Sequence, residues 1–91
     1  MTEKLTTAAA VRVLLDGGCI AEMCPNTGKT RKYTMYEAND IWGIGAGHIT
    51  PGQFNELIGA GVIDSTHESR TDKYGNIYNF YKIKITWERE S

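Results

Sequence analysis

Apolar residues recur at helical spacing near the start of the chain. One helix face carries Val11, Leu14 and Leu15. Thr6 or Thr7 precedes them as an N-cap residue, and Gly17-Gly18 follows them. The pattern predicts a first helix that ends at about Leu15.

Alternating segments interrupted by turn residues predict two hairpins. In the first, strands over residues 19–24 and 30–35 flank the turn Pro25-Asn26-Thr27-Gly28. In the second, a strand that begins at Val62-Ile63 returns after Asp72-Lys73-Tyr74-Gly75. The return strand keeps one apolar parity at Ile77, Tyr81, Ile83, Ile85 and Trp87, with Lys82 and Lys84 on the other. We therefore expect one buried face and one solvated face.

Two helix-start signals lie between the hairpins. Thr34-Met35-Tyr36-Glu37 has the spacing of a capping box and predicts a short helix that directs Ala38, Ile41 and Trp42 inward before the glycine-rich residues 43–47. Thr50-Pro51-Gly52-Gln53 combines a threonine cap with proline at the first helical position and glutamine at the third. The apolar face that follows consists of Phe54, Leu57 and Ile58, and Gly59 and Gly61 end this helix.

These elements predict a single α+β domain over residues 1–91, in the order helix, hairpin, helix, helix, hairpin. Its expected core is Val11, Leu14, Leu15, Ile20, Ile41, Trp42, Phe54, Leu57, Ile58, Ile63, Ile83 and Ile85. The run from Leu14 to Ile20 matches the run from Leu57 to Ile63, each leading from a helix end into a hairpin. Either an internal duplication or a common local solution accounts for that match.

The stretch from Tyr33 to Lys84 resembles the winged-helix and excisionase-like domains. The resemblance lies in a short helix, a turn, a second helix, the passage Leu57-Ile58-Gly59-Ala60-Gly61-Val62-Ile63 and a wing around residues 70–83. It implies a winged-helix-like fold and, in one interpretation, a DNA-binding regulator. The first hairpin departs from that pattern. Small size, high glycine content and this layout are also similar to the accessory proteins of bacteriophages, including anti-CRISPR proteins.

Size and charge exclude several classes of protein. A chain of 91 residues forms one modest core, which excludes large multi-substrate enzymes. The net charge of −1 and the 23% of charged residues do not fit a disordered tail or a protein that coats nucleic acid. No apolar run approaches the length of a membrane helix, and Met1 to Leu5 lacks the layout of a signal peptide. We expect a cytosolic protein.

Candidate chemistry is sparse. Cys19 and Cys24 point to opposite faces of one strand, so we expect reduced thiols, with Cys19 in or near the core. Neither His48 nor His67 stands at a paired zinc spacing with a cysteine. No catalytic triad or cofactor motif is recognisable, so we expect a protein with no enzymatic activity, no cofactor and no metal.

The hairpins carry the residues expected to bind a partner. They are Arg31, Lys32, Arg70, Lys73, Tyr74 and Tyr78, and tyrosines and arginines are enriched at protein interfaces. We interpret the chain as a phage-type inhibitor or accessory protein that binds a host protein or a nucleic-acid-processing complex. In the alternative interpretation, these cations only keep a solvated sheet edge from aggregating.

A DNA-binding regulator is the alternative function. In that case Gln53 and Asn55 read bases from the helix that is predicted to begin after Thr50. The phosphate contacts come from Lys29, Arg31, Lys32, Arg70 and Lys73. Such a regulator would act as a homodimer, because one domain of this charge holds an operator weakly. The helix itself contains no Lys or Arg, which favours a solvated polar face over a DNA-reading one.

Overall fold

A computed structural model describes residues 3–38 and 45–84. In these residues the chain order is α1 (Thr7–Leu15), β1 (Cys19–Cys24), β2 (Lys32–Tyr36), β3 (Gly47–Ile49), α2 (Pro51–Gly59), β4 (Ile63–Thr71) and β5 (Ile77–Ile83). The strands form one antiparallel sheet in the order β3-β2-β1-β5-β4. The α+β class is confirmed. The expected core positions Ile41, Trp42 and Ile85, and the return-strand position Trp87, lie outside the described residues.

Both long helices begin at the caps that the sequence predicts. The Thr6 hydroxyl accepts a hydrogen bond from the Ala9 N–H at 3.1 Å. Thr50 and Gln53 form a reciprocal capping box, in which each side-chain oxygen accepts the other residue's backbone N–H at 3.1 and 2.9 Å. These local hydrogen bonds determine the residues at which α1 and α2 begin.

The helix predicted from the capping box at Thr34 does not begin there, and its expected residues 39–42 lie outside the described residues. Thr34, Met35 and Tyr36 belong to β2, where Thr34 pairs with Ala21 on one side and His48 on the other. The strand prevails because its alternation buries Tyr33 and Met35 in the core, while a capping-box spacing is equally compatible with an extended chain. Residues 47–49 then form a further strand, β3, ahead of α2. The winged-helix order of elements is therefore not confirmed.

The two hairpins share one sheet because β1 lies between β2 and β5. The ends of α1 and α2 also share a geometry: the Gly17 N–H donates to the Leu14 carbonyl, and the Gly61 N–H donates to the Ile58 carbonyl. This match pairs Gly17 with Gly61, one position away from the sequence alignment. A common helix-end motif is therefore present, and the duplication stays a prediction.

The main core lies between the two helices and one face of the sheet. It consists of Ala10, Leu14, Ile20, Tyr33, Met35, Ile49, Phe54, Leu57 and Ile63. Five predicted core residues are among them, and Val11 and Ile83 pack against them partly buried. Leu15 and Ile58 are wrong as core residues, with 56% and 41% of their surface exposed, because each is on the side of its helix turned from the sheet.

The opposite face of the sheet is not simply solvated, contrary to the expectation. Cys19, Ala21 and Phe80 form a second buried cluster there, with Tyr36 and Tyr78 packed against it. Phe80 has the parity of Lys82 on β5, so a large apolar side chain occupies the face assigned to lysines. Both faces of the central strands are therefore apolar.

The two outer edges of the sheet are protected in different ways. Along β3, the Leu5 N–H donates to the His48 carbonyl and the His48 N–H donates to the Glu3 carbonyl, each at 2.8 Å. Along β4, the register shifts between Ser65 and Ser69, and side chains of the same strand accept backbone N–H groups in this stretch. Such irregular edges oppose pairing with another chain. Among the described residues, no helix has the length and apolarity needed to cross a membrane.

Candidate partner-binding surface

The two hairpin loops meet at one end of the sheet. Antiparallel pairing places Cys24, the last residue of β1, opposite Ile77, the first residue of β5. The loop that follows β1 and the turn that precedes β5 therefore emerge side by side. We call residues 25–32 and 70–76 together the tip surface.

Asn26 joins the two loops of the tip surface. Its backbone N–H donates to the Asn76 side-chain carbonyl at 3.1 Å, and its side-chain amide donates to the Tyr74 backbone carbonyl. Gly75 makes room for this contact: it has a φ of +86°, and a Cβ there would lie 2.9 Å from the Asn26 side-chain nitrogen. The loops thus form one connected unit.

The Asp72 carboxylate fixes the shape of the second turn. It accepts the Tyr74 N–H at 2.8 Å, the backbone and side-chain N–H groups of Asn76 at 3.0 Å, and the Tyr78 hydroxyl at 3.2 Å. Desolvation alone would raise the pKa of Asp72, but the hydrogen bonds from Asn76, Tyr74 and Tyr78 outweigh it and hold that pKa below its ordinary value. The turn is therefore ordered while Asp72 is ionised.

Half of the chain's ten Lys and Arg residues lie on the tip surface. They are Lys29, Arg31, Lys32, Arg70 and Lys73, all exposed, and Asp72 is the one carboxylate within the same ranges. Tyr74 projects beside them with 67% of its surface exposed, and the Lys73 ammonium lies 5.3 Å from its ring centre. The fold therefore creates a strongly basic end on a protein of net charge −1.

A row of side chains extends the tip surface across four strands. Lys32 pairs with Met23, Met23 with Tyr78, and Tyr78 with Arg70. Paired residues point to the same side of a sheet, here the face turned from the helices. The six residues expected to bind a partner thus lie on the tip surface or in this row.

The residues proposed to read DNA bases are placed differently. The Gln53 side-chain amide donates to the Leu5 carbonyl at 2.9 Å and to the Thr7 hydroxyl at 3.3 Å, while its oxygen caps Thr50. Gln53 would have to give up these bonds to reach a base. Asn55 is exposed on α2, one residue beyond the buried Phe54.

A buried glutamate, Glu22, binds one residue of the tip surface, Arg31. The sequence interpretation did not identify this glutamate. Glu22 is 3% exposed in the middle of β1. Its carboxylate accepts hydrogen bonds from the hydroxyls of Tyr33 at 3.2 Å and Tyr81 at 3.3 Å, from the Asn79 amide at 3.4 Å and from the Arg31 guanidinium at 3.2 Å. The signal was available, because Glu22 has the same parity as Ile20 and so faces the core. We call these five residues the Glu22 network.

The Glu22 network fixes Arg31 and keeps its tyrosines neutral. Burial, followed by the charge of Glu22, raises the pKa of Tyr33 to about 12 and also raises that of Tyr81. Phe54 stacks on the Tyr33 ring at 4.3 Å and meets the Tyr81 ring edge-on at 4.9 Å. The Arg31 side chain remains 60% exposed while it is bound to Glu22, so a buried carboxylate positions a cation of the tip surface.

The cysteines match their expected state. Both are free, Cys19 is buried, and burial raises the pKa of its thiol. Within residues 3–38 and 45–84, no group of three His, Cys, Asp or Glu side chains is arranged to hold a metal ion. Comparisons of the chain with protein-family models, with curated proteins and with solved structures found no match.

Proposed function

We propose that this protein is a non-enzymatic binding protein that docks its tip surface on an acidic surface of a partner protein. The observation that carries the proposal is the joining of the two loops by Asn26, which holds five cations and the exposed Tyr74 in one connected unit. Complementary charge accelerates encounter, and an exposed aromatic ring supplies contact area.

Order within the tip surface favours binding over simple solubility. Lysines that only protect a sheet edge need no fixed geometry. Here Asp72 orders one loop, Glu22 positions Arg31, and Asn26 links the loops. A surface ordered before binding loses less conformational entropy when the partner docks.

The partner that we propose is a cytosolic host protein or nucleic-acid-processing complex, with this chain as a phage-type inhibitor or accessory protein of the anti-CRISPR kind. This identity depends on the resemblance in size and layout, while the acidic character of the docking site comes from the charge of the tip surface. The two parts of the proposal can therefore be tested separately.

Affinity capture with matched charge variants tests the docking surface. The test variant is Arg70→Glu/Lys73→Glu, and the control is Lys82→Glu/Lys84→Glu, which makes the same change of net charge at the far end of β5 and one residue beyond it. We expect the test variant to lose the partner captured by the wild-type protein and the control to retain it. Equal capture by both variants would refute the tip surface as the docking site.

DNA binding is the second candidate, because the same five cations could contact phosphates through a wing formed by β4 and β5. Each neutralised phosphate adds roughly 0.9 to the slope of log affinity against log salt concentration. Titration of duplex DNA across a salt series would then show a steep response that Arg70→Glu/Lys73→Glu reduces. Absence of binding at low salt would exclude this function, and an unaltered affinity of Asn55→Ala would exclude base reading by α2.

A further inference from the structure

A cavity of about 400 Å³ lies between the outer edge of β2 and the start of α2. It forms because β3 ends at Ile49, opposite Tyr33, and the chain then turns at Thr50 into α2. Lys32, the first residue of β2, and Arg31 before it therefore extend past the end of β3. The resulting step in the sheet is closed on one side by the first residues of the helix.

The polar lining of this cavity consists of Arg31, Lys32, Thr34, His48 and Thr50. Arg31 and Lys32 are positively charged, and each threonine hydroxyl can supply a hydrogen-bond donor. Among the described residues that line the cavity, none carries a carboxylate. The lining therefore suits an anion with several acceptor oxygens.

Two of the lining groups keep donors available although they are already bonded. A guanidinium has five N–H groups, and the Arg31 contact with Glu22 uses one terminal nitrogen. The Thr50 hydroxyl accepts the Gln53 N–H through its oxygen, which leaves its own hydrogen for another acceptor. Glu22 and the capping box thus hold both groups in place at the cavity wall.

We propose that this cavity binds the phosphoryl group of a phosphate monoester. Arginine and hydroxyl donors match the tetrahedral oxygens of phosphate, and Lys32 adds a positive charge besides that of Arg31, which is paired with Glu22. A volume of about 400 Å³ also exceeds the needs of the phosphoryl group alone, so part of the attached molecule fits inside. This site goes beyond the proposed function, because a docked tip surface requires no cavity.

The same chemistry can come from a nucleotide or from a phosphorylated side chain. Titration of the folded protein with inorganic phosphate, adenosine monophosphate, phosphoserine and phosphate-free adenosine, followed by amide chemical shifts, distinguishes them. We expect the first three to shift the amides of residues 31–34 and 48–52, and adenosine to leave them unchanged. Preference for adenosine monophosphate would indicate a nucleotide, and preference for phosphoserine a phosphorylated protein.

Charge-neutral variants test the assignment. Lys32→Gln should weaken phosphate monoester binding about tenfold, the effect of losing one bond to a charged group. Lys82→Gln, an exposed lysine of β5 outside the cavity, is the matched control and should bind as the wild-type protein does. No shift with any phosphate compound at millimolar concentration, equal shifts with adenosine, or equal weakening in the control would each overturn the proposal.

Separate variants distinguish this site from the docking surface. Arg70→Glu/Lys73→Glu alters the tip surface away from the cavity, so it should retain binding of phosphate monoesters even if it loses the partner protein. A failure of partner docking would then leave the cavity assignment intact. A loss of phosphate binding in this variant would show that the anion binds to the tip surface at large, which would overturn the cavity assignment.

Discussion

Replacing Glu22 by leucine should destabilise the fold strongly, although leucine is apolar and suited to a buried position. The substitution removes the acceptor for the Tyr33 and Tyr81 hydroxyls, which point into the core side of the sheet. A buried hydroxyl left without a partner costs about 1–3 kcal/mol. Arg31 is 60% exposed and returns to water, so its lost ion pair adds at most about 1 kcal/mol.

The two hydroxyls and the ion pair together give an expected loss in the free energy of unfolding of about 2–7 kcal/mol. A domain of this length has a total stability of roughly 5–14 kcal/mol, so the variant would lose a large part of it. The loss arises from stranded donors and not from the missing charge itself. Removal of the two hydroxyls in Glu22→Leu/Tyr33→Phe/Tyr81→Phe should consequently recover most of the stability.

Urea unfolding followed by circular dichroism measures these differences. Glu56→Leu, the same substitution at an exposed position of α2, is the control and should change the stability by no more than about 0.5 kcal/mol. If Glu22→Leu were as stable as this control, the Glu22 network would contribute nothing to folding. If the triple variant were no more stable than the single one, the explanation by unpaired hydroxyls would be wrong.

Three further predictions concern the helix ends, the tyrosines and the tip surface. Gly18→Ala should lower the stability by about 1–3 kcal/mol, because the added Cβ would lie 2.5 Å from a carbonyl oxygen of β2. Gly59→Ala should raise the thermal midpoint slightly, because a Cβ at this position meets no atom within 4 Å. The raised pKa of Tyr33 stabilises the fold fully below pH 10, and this stability should be lost as the pH rises to about 12. Tyrosinate absorbance and ellipticity should then change together. A fold that is unchanged through pH 12 would contradict this prediction. Asp72→Ala should accelerate amide hydrogen exchange at Tyr74, and unchanged exchange would show that Asp72 does not order the turn.

The elements defined by local signals could be predicted from the sequence. The caps at Thr6 and Thr50 and the turn at residues 72–75 depend on neighbouring residues, so short motifs suffice to find them. The segment from Thr34 to Tyr36 fits two local rules at once, a capping box and an alternating strand. Only its pairing with β1 and β3, which are distant in sequence, selects the strand.

The candidate site was predictable as a set of residues but not as a surface. Arg31, Lys32, Arg70 and Lys73 stand out in the sequence because they are charged residues next to turns. Their union depends on the pairing of β1 with β5, which no local pattern specifies. For the same reason, charges that are evenly divided along the chain become concentrated at one end of the folded protein.

The central position of β1 also has a consequence for how the chain folds. One edge of β1 pairs with β2, which follows it closely in sequence. The other edge pairs with β5, which lies near the end of the described residues. Contacts between distant segments close large loops and slow the search for the native state. During synthesis, β1 therefore emerges long before its second partner, with an open edge and with Ile20 and Glu22 lacking their pairing strand. We expect refolding of the complete chain to be slow for its size and to bring both hairpins together in one cooperative step.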